Sequence, residues 1–248
     1  MTITTRSDLD GLSYVGRLVA LALREMRAAV RPGITTAELD RVGARFLGRH
    51  GARSAPQLTY GFPGFNCISL NDEIVHGIPG ERALKPGDVV KLDVTAELDG
   101  YIADSALTVV LPPRPPVASR LYRCAQSAFS RAMRAVRAGA PVSNIGRAVE
   151  REVSRWDFHV IRELSGHGVG RTIHESPEVP NWDTGDHSEL LQPGMVLAVE
   201  PLVSARRSTV VEEADGWTLR TRDHSLAVHH EHTVVVTRGA PVIVTLAA

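Results

Sequence analysis

Cysteine is scarce in this chain, since only Cys67 and Cys124 occur among its 248 residues. Two cysteines exclude the disulfide framework of a small secreted protein and fit a reducing compartment. Long apolar runs are also missing, so the sequence offers no membrane span. The polar residues 1–8 lack the apolar core of a signal peptide. We therefore expect a cytoplasmic protein with no membrane contact.

The chain also lacks an excess of charge of either sign. Lys and Arg together number 28, as do Asp and Glu, so the formal net charge at pH 7 is zero. Nucleic acids and anionic membranes select basic proteins, so the net charge gives no nucleic-acid-binding signal. The hydrophobic content of 43% is ordinary for a globular protein, and a chain of this length can bury a substantial core.

One ten-residue pattern occurs twice. Residues 84–93 read LKPGDVVKLD and residues 191–200 read LQPGMVLAVE, so each copy ends on a carboxylate, Asp93 or Glu200. In both copies a Pro-Gly turn precedes residues that favour a buried strand. A buried carboxylate is costly unless it is paired, protonated or bound to a metal. The same costly residue at the same place in both copies indicates a shared purpose.

Two further pairs of segments occur in the same order along the chain. Residues 30–34 are echoed by residues 136–140, and His76-Gly77 is echoed by His167-Gly168. Chance could produce one such pairing, but several in order are better explained by internal duplication.

Helical and strand patterns alternate in blocks, which predicts an α+β fold with a mostly antiparallel sheet and flanking helices. We predict a single domain, residues 1–248, of two pseudo-symmetric halves at about 8–110 and 119–236, joined by a Pro-rich linker at 111–117. The predicted helices cover residues 7–30 (capped by Ser7 or Asp8), 35–51 (with a capping box at 35–38), 119–137 and 143–156. The predicted strands cover residues 66–70, 74–78, 88–98, 101–110, 159–165, 168–174, 195–203, 217–221 and 227–236, with a hairpin turn at 99–100 and a loop at 59–64.

Acidic and histidine residues stand at conspicuous places in this pattern. Asp104 follows Asp93 on the neighbouring strand of the same predicted hairpin, so both carboxylates can face one site. Acids flank many hairpins, and two solvated turn residues are the plain alternative. His167 lies in the run GHGVG, whose glycines allow the close backbone approach that a ligand-binding residue needs. A hydrogen-bonded structural imidazole is the alternative for His167.

A histidine-rich segment comes near the end of the chain, where Glu231 is surrounded by His229, His230 and His232. Three histidines beside a glutamate suggest zinc, but neighbouring residues of a strand point to opposite faces. Glu231 precedes His-Thr-Val-Val, a loose echo of the residues after Asp104. We therefore interpret Glu231 as a metal ligand, and His229 and His230 as surface residues or as residues beside the ligands.

Together these residues make a set of four carboxylates and one histidine. Four acids around one point repel each other strongly unless cations neutralise them. Oxygen-rich ligands suit divalent manganese, iron, cobalt or zinc, and the set exceeds what one ion needs. Two ions ~3.5–4 Å apart are the arrangement known for hydrolases. The predicted ligands are Asp93, Asp104, His167, Glu200 and Glu231.

Five motifs resemble those of type I methionine aminopeptidases, in order and over nearly the whole chain. They are NDEIVHGIP at 71–79, KLDV at 91–94, GHGVGR at 166–171, VEP at 199–201 and EHT at 231–233. The resemblance implies the pita-bread, or creatinase-like, fold, which is a duplicated α+β structure. It also implies that Asp93 and Asp104 hold one metal ion, that His167 and Glu200 hold the other, and that Asp104 and Glu231 bridge them.

The resemblance further implies three catalytic roles. His76 and His174 would lie outside the metal shell and hydrogen-bond the substrate and the tetrahedral intermediate. Glu200 would also carry a proton to the leaving amine. The two metal ions would activate water and stabilise the developing oxyanion.

The substrate pocket matches the resembled family less closely than the metal ligands do. Phe62, Cys67 and Trp217 stand where the family has pocket-lining aromatic and sulfur side chains, although apolar packing alone also explains such residues. Thr59 replaces a tyrosine of the family, and Ile173 replaces a phenylalanine. A missing contact of this size is worth only ~1–3 kcal/mol in discrimination. We expect a retained preference for methionine with altered kinetics.

The resemblance therefore implies a dinuclear metallo-aminopeptidase that removes the initiator methionine from nascent proteins and peptides with a small second residue. Its partner would be the N-terminus of a peptide, and any transient ribosome contact would come from the catalytic domain's own surface. We expect a monomer. The alternatives are another pita-bread metallopeptidase, such as a prolidase or an aminopeptidase of altered specificity, and an inactive pita-bread module that only binds partners. Prolidases usually carry an extra N-terminal domain, and inactive modules are expected to lose ligands.

Overall fold

A computed structural model describes residues 1–247 of the chain. Within that range the backbone forms five α-helices and fifteen short or medium strands. The helices are α1 (Arg6–Ala29), α2 (Thr36–Arg49), α3 (Ala55–Tyr60), α4 (Pro116–Ala135) and α5 (Ser143–Arg155). Over residues 1–247, no helix is both long and apolar enough to traverse a bilayer.

Every strand pair in the described part of the chain is antiparallel, and the strands form four sheets. The strands are β1 (Arg53–Ser54), β2 (Cys67–Leu70), β3 (Glu73–Val75), β4 (Val89–Leu98), β5 (Tyr101–Val110), β6 (His159–Val160), β7 (Gly166–Gly168), β8 (Glu175–Val179), β9 (Val196–Val199), β10 (Leu202–Ser204), β11 (Val210–Glu212), β12 (Leu219–Thr221), β13 (Ala227–His229), β14 (His232–Val235) and β15 (Val242–Ile243). In the first sheet β4 pairs with β1, β2 and β5, and the five-stranded sheet has the order β15-β14-β9-β7-β8. Two three-stranded sheets have the orders β13-β10-β6 and β11-β12-β3. The predicted mixture of helices and antiparallel sheet is confirmed.

The first two helices start at capping boxes. At α2 the hydroxyl of Thr35 accepts the backbone N–H of Glu38, and the Glu38 side chain accepts that of Thr35, as predicted. At α1 the cap is Thr5, with Asp8 in the reciprocal position, so the prediction of Ser7 or Asp8 as the cap was wrong by a few residues. Asp8 contributes to the box from inside the first turn, where acids are favoured by the helix dipole.

Each group of helices covers its own hydrophobic core. Helices α1 and α2 pack on the sheet of β2, β4 and β5, with residues such as Met26 and Leu92 fully buried. Helices α4 and α5 pack on a separate buried cluster, in which Leu121 and Val149 lie with Leu197. Helices thus cover the outside, and the strand segments that carry the acids lie between the two cores.

The repeated segments adopt the same local backbone. Gly87 and Gly194, the glycines of the two Pro-Gly turns, both have φ of 87°, and the strands β4 and β9 follow them. Gly33 and Gly139, from another repeated pair, have φ of 88° and 85°. These values favour duplication, and the arrangement in two pseudo-symmetric halves stays our proposal.

Several local predictions were wrong. The stretch 59–64 was predicted as a loop, but α3 extends to Tyr60, capped by the Ser54 hydroxyl. The Pro-rich linker is shorter than predicted because α4 begins at Pro116, where proline fits the first turn of a helix. The strand predicted at 168–174 is wrong for most of its length, because β7 ends at Gly168, β8 begins at Glu175, and residues 169–174 form an irregular segment between them.

Candidate active site

The β4–β5 hairpin places two acids on one face. Asp93 and Thr95 lie two residues apart on β4 and therefore point to the same side. Thr95 is directly opposite Asp104 on β5, and its hydroxyl donates to Asp104 Oδ1 at 2.8 Å. The predicted turn at Asp99 and Gly100 is confirmed, since both have positive φ as a two-residue hairpin requires.

His167 lies in the middle of β7, between β8 and β9. A Cβ on Gly166 would lie 2.4 Å from the carbonyl oxygen of Ala198, and one on Gly168 would lie 2.4 Å from that of Ser176. Only glycine permits such close contact with the neighbouring strands, so the two glycines allow β7 to lie between them. The Nδ1 of His167 lies 2.9 Å from the Gly168 carbonyl oxygen. An N–H donated there leaves Nε2 free to bind a metal.

Hydrogen bonds between segments far apart in the sequence hold two of the acids together. Ala106 and Glu231 exchange backbone hydrogen bonds, and the Ser105 hydroxyl donates to the Glu231 carbonyl at 2.6 Å. The Thr233 hydroxyl donates to the carbonyl of Asp104 and accepts the Asp104 N–H. These contacts hold Glu231 beside Asp104, although the two residues are far apart in the sequence.

All five predicted ligands line one cavity of about 160 Å³. Ligand atoms of Asp104, His167 and Glu231 lie within 4.8 Å of one another. Glu200, immediately after β9, brings Oε1 to 3.5 Å from His167 Nε2. Asp93 lies in the same wall, and its strand partner Cys67 is beside it. The cavity thus gathers four acids from widely separated parts of the chain.

Burial shifts the pKa of these groups towards their neutral forms. Burial raises the pKa of Asp93, Glu200 and Glu231 well above the usual range, and repulsion from Asp104 adds to each rise. Burial raises the pKa of Asp104 to about 6, with the Thr95 hydroxyl opposing the rise. Burial also lowers the pKa of His167 to about 4. Among residues 1–247, no Lys or Arg lines the cavity to compensate the acids.

The site also contains buried polar atoms without partners. Within the described residues, Asp93 Oδ1 and Glu231 Oε1 are buried and accept no hydrogen bond. Unpaired buried oxygens cost free energy unless something binds them. Divalent cations supply both the missing partners and the missing positive charge, so this set of carboxylates fits metal ions.

His229 is a site residue that the sequence analysis misjudged. It is 2% exposed, and its Nε2 lies 3.5 Å from both Glu200 Oε2 and Glu231 Oε2. The interpretation of His229 as a surface residue is therefore wrong, while a position beside the ligands is what the structure has. The signal was present, because residues 229 and 231 are two apart and share a face of an extended chain. His230 is on the other face, against the ring of Phe129.

The two predicted catalytic histidines lie at the wall of the cavity. His76 has φ of 59°, a left-handed conformation that costs free energy for a residue other than glycine. His174 is packed against His167 with ring centroids 4.3 Å apart. Its Nδ1 lies 2.6 Å from the hydroxyl of Tyr60, a cavity residue that the sequence analysis did not identify. The sequence analysis had instead predicted the preceding residue, Thr59, as a pocket residue.

The remaining wall is apolar. It includes four predicted pocket residues, Phe62, Cys67, Ile173 and Trp217, and the rings of Phe62 and Trp217 meet edge to face. Thr59 is not among the lining residues and is exposed on α3, so its prediction as a pocket residue is corrected. In the short helix α3 the adjacent Tyr60 turns towards the cavity instead.

The model of metallopeptidase family M24 matches residues 10–238. The chain belongs to metallopeptidase family M24. Over 247 residues it is 42% identical to methionine aminopeptidase 2 of Bacillus subtilis (strain 168), with 99% of each chain covered. The crystal structure of a methionine aminopeptidase from Thermotoga maritima matches with a TM-score of 0.96 and 33% identity, covering 99% of this chain and 100% of that one.

These relatives place this M24 chain among the methionine aminopeptidases and confirm the predicted pita-bread fold. Prolidase from Pyrococcus furiosus shares the fold, with a TM-score of 0.80 and 19% identity, and this chain covers 65% of it. Membership of the M24 family implies the use of a divalent metal ion. The roles of the individual residues remain predictions.

Proposed function

We propose that this chain is a methionyl aminopeptidase that hydrolyses the first peptide bond of newly made proteins and of peptides with a small second residue. One observation carries the proposal: four carboxylates and His167 share a cavity with an apolar wall. The acids fit metal-assisted hydrolysis, and the wall fits an apolar first side chain. The names of the relatives support the same activity.

We propose two divalent ions, with cobalt, manganese, iron and zinc as candidates. Asp93 and Asp104 would hold one ion and His167 and Glu200 the other, with Asp104 and Glu231 shared between them. When bound, the ions would activate a water molecule and neutralise negative charge that develops on the peptide oxygen. The orphaned oxygens of Asp93 and Glu231 support this assignment, because each would gain a partner.

The chain's own residues would orient the peptide. A cavity of roughly 150 Å³ holds a benzene-sized group, so about 160 Å³ suits a single side chain. Phe62 and Trp217 would contact that side chain, and sulfur–aromatic contacts would favour methionine. His76 and His174, at the wall, would hydrogen-bond the peptide carbonyl and its charged successor in the reaction.

Glu200 would move the proton that the leaving amine needs. Its carboxylate lies near His167 and His229 on one side and lines the open cavity on the other. A carboxyl group in such a place can take a proton from the attacking water and deliver it to nitrogen. The cytoplasmic location, the monomeric state and any ribosome contact remain part of this proposal.

A peptide-release assay tests the function. Chelated protein is supplied with one divalent ion at a time and given Met-Gly, Met-Leu, Leu-Gly and Xaa-Pro peptides. We expect Met-Gly to be cleaved with kcat/KM about 10–200 times that of Leu-Gly, as a side-chain difference of this size allows. Met-Leu should be cleaved slowly.

Each other result selects an alternative. Equal release from Leu-Gly and Met-Gly would contradict the methionine preference. Cleavage of Xaa-Pro peptides alone would favour the prolidase alternative. An absence of release with every ion would favour a binding module.

A further inference from the structure

Positive charge is concentrated in one part of this neutral chain. Residues 116–155, which comprise α4, α5 and their connection, contain eight arginines, two glutamates and no lysine. Their net charge is therefore +6, and the rest of the chain carries −6. No Asp or Glu occurs from residue 105 to residue 149. We name residues 116–155 the arginine hairpin.

The arginines of each helix lie along one stripe. With 100° of rotation per residue, Arg120, Arg123, Arg131 and Arg134 fall within about 80° on α4. On α5, Arg147, Arg151 and Arg155 recur every fourth residue and so share a face. All seven side chains are exposed. The opposite faces of both helices are apolar and buried in the core.

The two stripes meet at a groove of about 440 Å³ on the surface. Its walls include Arg131 from α4 and Arg147, Arg151 and Arg155 from α5, together with the acidic Glu152. Four guanidinium groups from two helices therefore border a single concave surface. Three of these groups have carboxylate partners, so Arg151 is the unpaired charge of the groove itself. The excess of arginine over acid across the whole hairpin favours an anionic partner.

Carboxylates pair with three of the seven arginines. Glu152 accepts both Arg131 and Arg155, each at 3.4 Å, and Asp183 pairs with Arg147. The other four arginines of the two stripes have no carboxylate within 4.0 Å among residues 1–247. They are Arg120, Arg123, Arg134 and Arg151.

The first helical pair of the fold has a smaller excess of arginine over acid. Residues 6–49, which include α1 and α2, carry eight arginines but also five acids. Arg17, Arg24, Arg45 and Arg49 are exposed there and have no carboxylate within 4.0 Å among the described residues. They provide a control set of equal charge on another face.

We propose that the arginine hairpin binds the phosphate backbone of folded RNA. Guanidinium groups bind phosphate oxygens in pairs of hydrogen bonds and also stack on exposed bases, which lysine cannot do. A membrane is a poorer fit, because interfacial helices present large apolar side chains beside their basic ones, and here those side chains are buried. The zero net charge conceals this surface because the opposite charge lies elsewhere in the fold.

The surface leaves the cavity accessible. Among the described residues, none between 105 and 163 lines the cavity. RNA bound to the hairpin would therefore hold the protein in place without occupying the site. The binding does not depend on peptide hydrolysis and can be measured in its absence.

The test is fluorescence polarisation with a labelled RNA stem-loop of roughly 30 nucleotides, titrated with full-length protein at several salt concentrations. The test variant carries Arg120→Gln, Arg123→Gln, Arg134→Gln and Arg151→Gln. The control variant carries Arg17→Gln, Arg24→Gln, Arg45→Gln and Arg49→Gln. Circular dichroism and peptide release check that both variants are folded and active.

We expect wild-type binding to weaken about 100-fold between 50 and 200 mM salt, as about four phosphate contacts require. The test variant should bind at least 10-fold more weakly at 100 mM salt and show a smaller salt slope, while the control stays within about twofold of wild type. Peptide release should be unchanged in both, so the result is separable from that of the proposed function.

Three outcomes would overturn the proposal. One is undetectable RNA binding by the wild type at 100 mM salt, and another is an equal loss in both variants. The third is stronger binding to vesicles of phosphatidylglycerol and phosphatidylcholine, or to a polyglutamate peptide, than to the stem-loop.

Discussion

Asp104 depends on contacts from near and distant parts of the chain. Thr95 donates to its carboxylate, Thr233 bonds its backbone, and Glu231 lies beside it. This carboxylate adds negative charge to a buried cluster. Among the described residues that line the cavity, no Lys or Arg compensates that charge. Such a side chain is costly to the fold unless a cation is bound.

Replacement of Asp104 should therefore separate activity from stability. For Asp104→Asn we expect kcat/KM to fall more than 100-fold, since loss even of an outer partner of a metal ligand costs ~10–100-fold. The chelated variant should melt at or above the temperature of chelated wild type, and added metal should raise it less. Activity assays and thermal melts measure both effects.

Asp99→Asn is the matched control for that change. Asp99 is exposed in the turn of the same hairpin, and Asn tolerates its positive φ. Full metal-dependent activity in Asp104→Asn, or an equal loss in Asp99→Asn, would contradict the role proposed for Asp104.

Tyr60 contributes through one hydroxyl group. Its contact with His174 Nδ1 holds the ring in one orientation at the cavity wall. Tyr60→Phe removes only that oxygen, and a neutral hydrogen bond is worth about 0.5–1.5 kcal/mol. We expect kcat to fall about 3–10-fold with KM within twofold, measured on Met-Gly peptides.

Tyr14→Phe provides the comparison, because Tyr14 is exposed on α1 and does not line the cavity. A kcat for Tyr60→Phe that equals the Tyr14→Phe value would show that His174 does not need this contact.

At the scale of elements, the position of His167 depends on how closely β7 approaches its neighbours. In Gly166→Ala the added Cβ would lie 2.4 Å from the Ala198 carbonyl of β9, so one strand must move. Overpacking of this kind costs about 1–3 kcal/mol or more, which is about 2–12 °C in Tm for a chain of this length. We also expect metal affinity to fall at least 10-fold, as calorimetry would measure, because His167 moves with β7.

Gly48→Ala separates this effect from the general effect of adding a methyl group. Gly48 lies in α2 with nothing within 4 Å of an added Cβ. Alanine favours a helix by ~0.5–1 kcal/mol, so we expect a small rise in Tm. A Gly166→Ala protein as stable as Gly48→Ala would show that β7 has more room than the structure indicates.

At the scale of the whole molecule, the shared cavity makes the metal-free protein sensitive to pH. Burial raises the pKa of Asp104 to about 6 and that of Asp93, Glu200 and Glu231 well above normal. The folded protein then binds more protons than the unfolded chain, so stability falls as pH rises through these folded pKa values.

The buried histidines act in the opposite direction but in a lower window. Burial lowers the pKa of His76, His167 and His229 to about 4 from 6.5. Between these two values the unfolded chain binds more protons at the histidines, so the stability of the fold rises with pH up to about 6.5. Above that pH the three carboxyl groups with the highest pKa values lower the stability. Lys91 opposes them, because burial lowers its pKa to about 7 from 10.5, but it is one group against three. We expect the Tm of chelated protein to fall from pH 6.5 to about 8.5, while the Tm of metal-loaded protein does not fall, since bound cations keep the acids ionised. A rising Tm of chelated protein in that window would contradict this account.

The sequence by itself determined the local structure and the identity of most site residues. Pro-Gly turns, the capping box at Thr35 and the Asp99-Gly100 hairpin are short-range patterns, and the structure has them where they were predicted. The acids of the site could also be identified from the sequence. A carboxylate at the end of a buried strand costs free energy wherever the strand lies in the fold, unless a partner compensates its charge. The resemblance to a known family identified the fold, and the comparisons confirmed it.

Tertiary structure alone decided which distant residues meet. Ser105 bonds Glu231 across 126 positions and Tyr60 reaches His174 across 114, and no local period encodes such pairs. The sequence places His229 on the same strand face as Glu231, but only the fold brings it beside Glu200 as well. The net charge likewise does not reveal that arginines are concentrated on one face, because that face is formed only in the folded protein. Charge adds over the whole chain, but a partner meets only the surface that the fold presents.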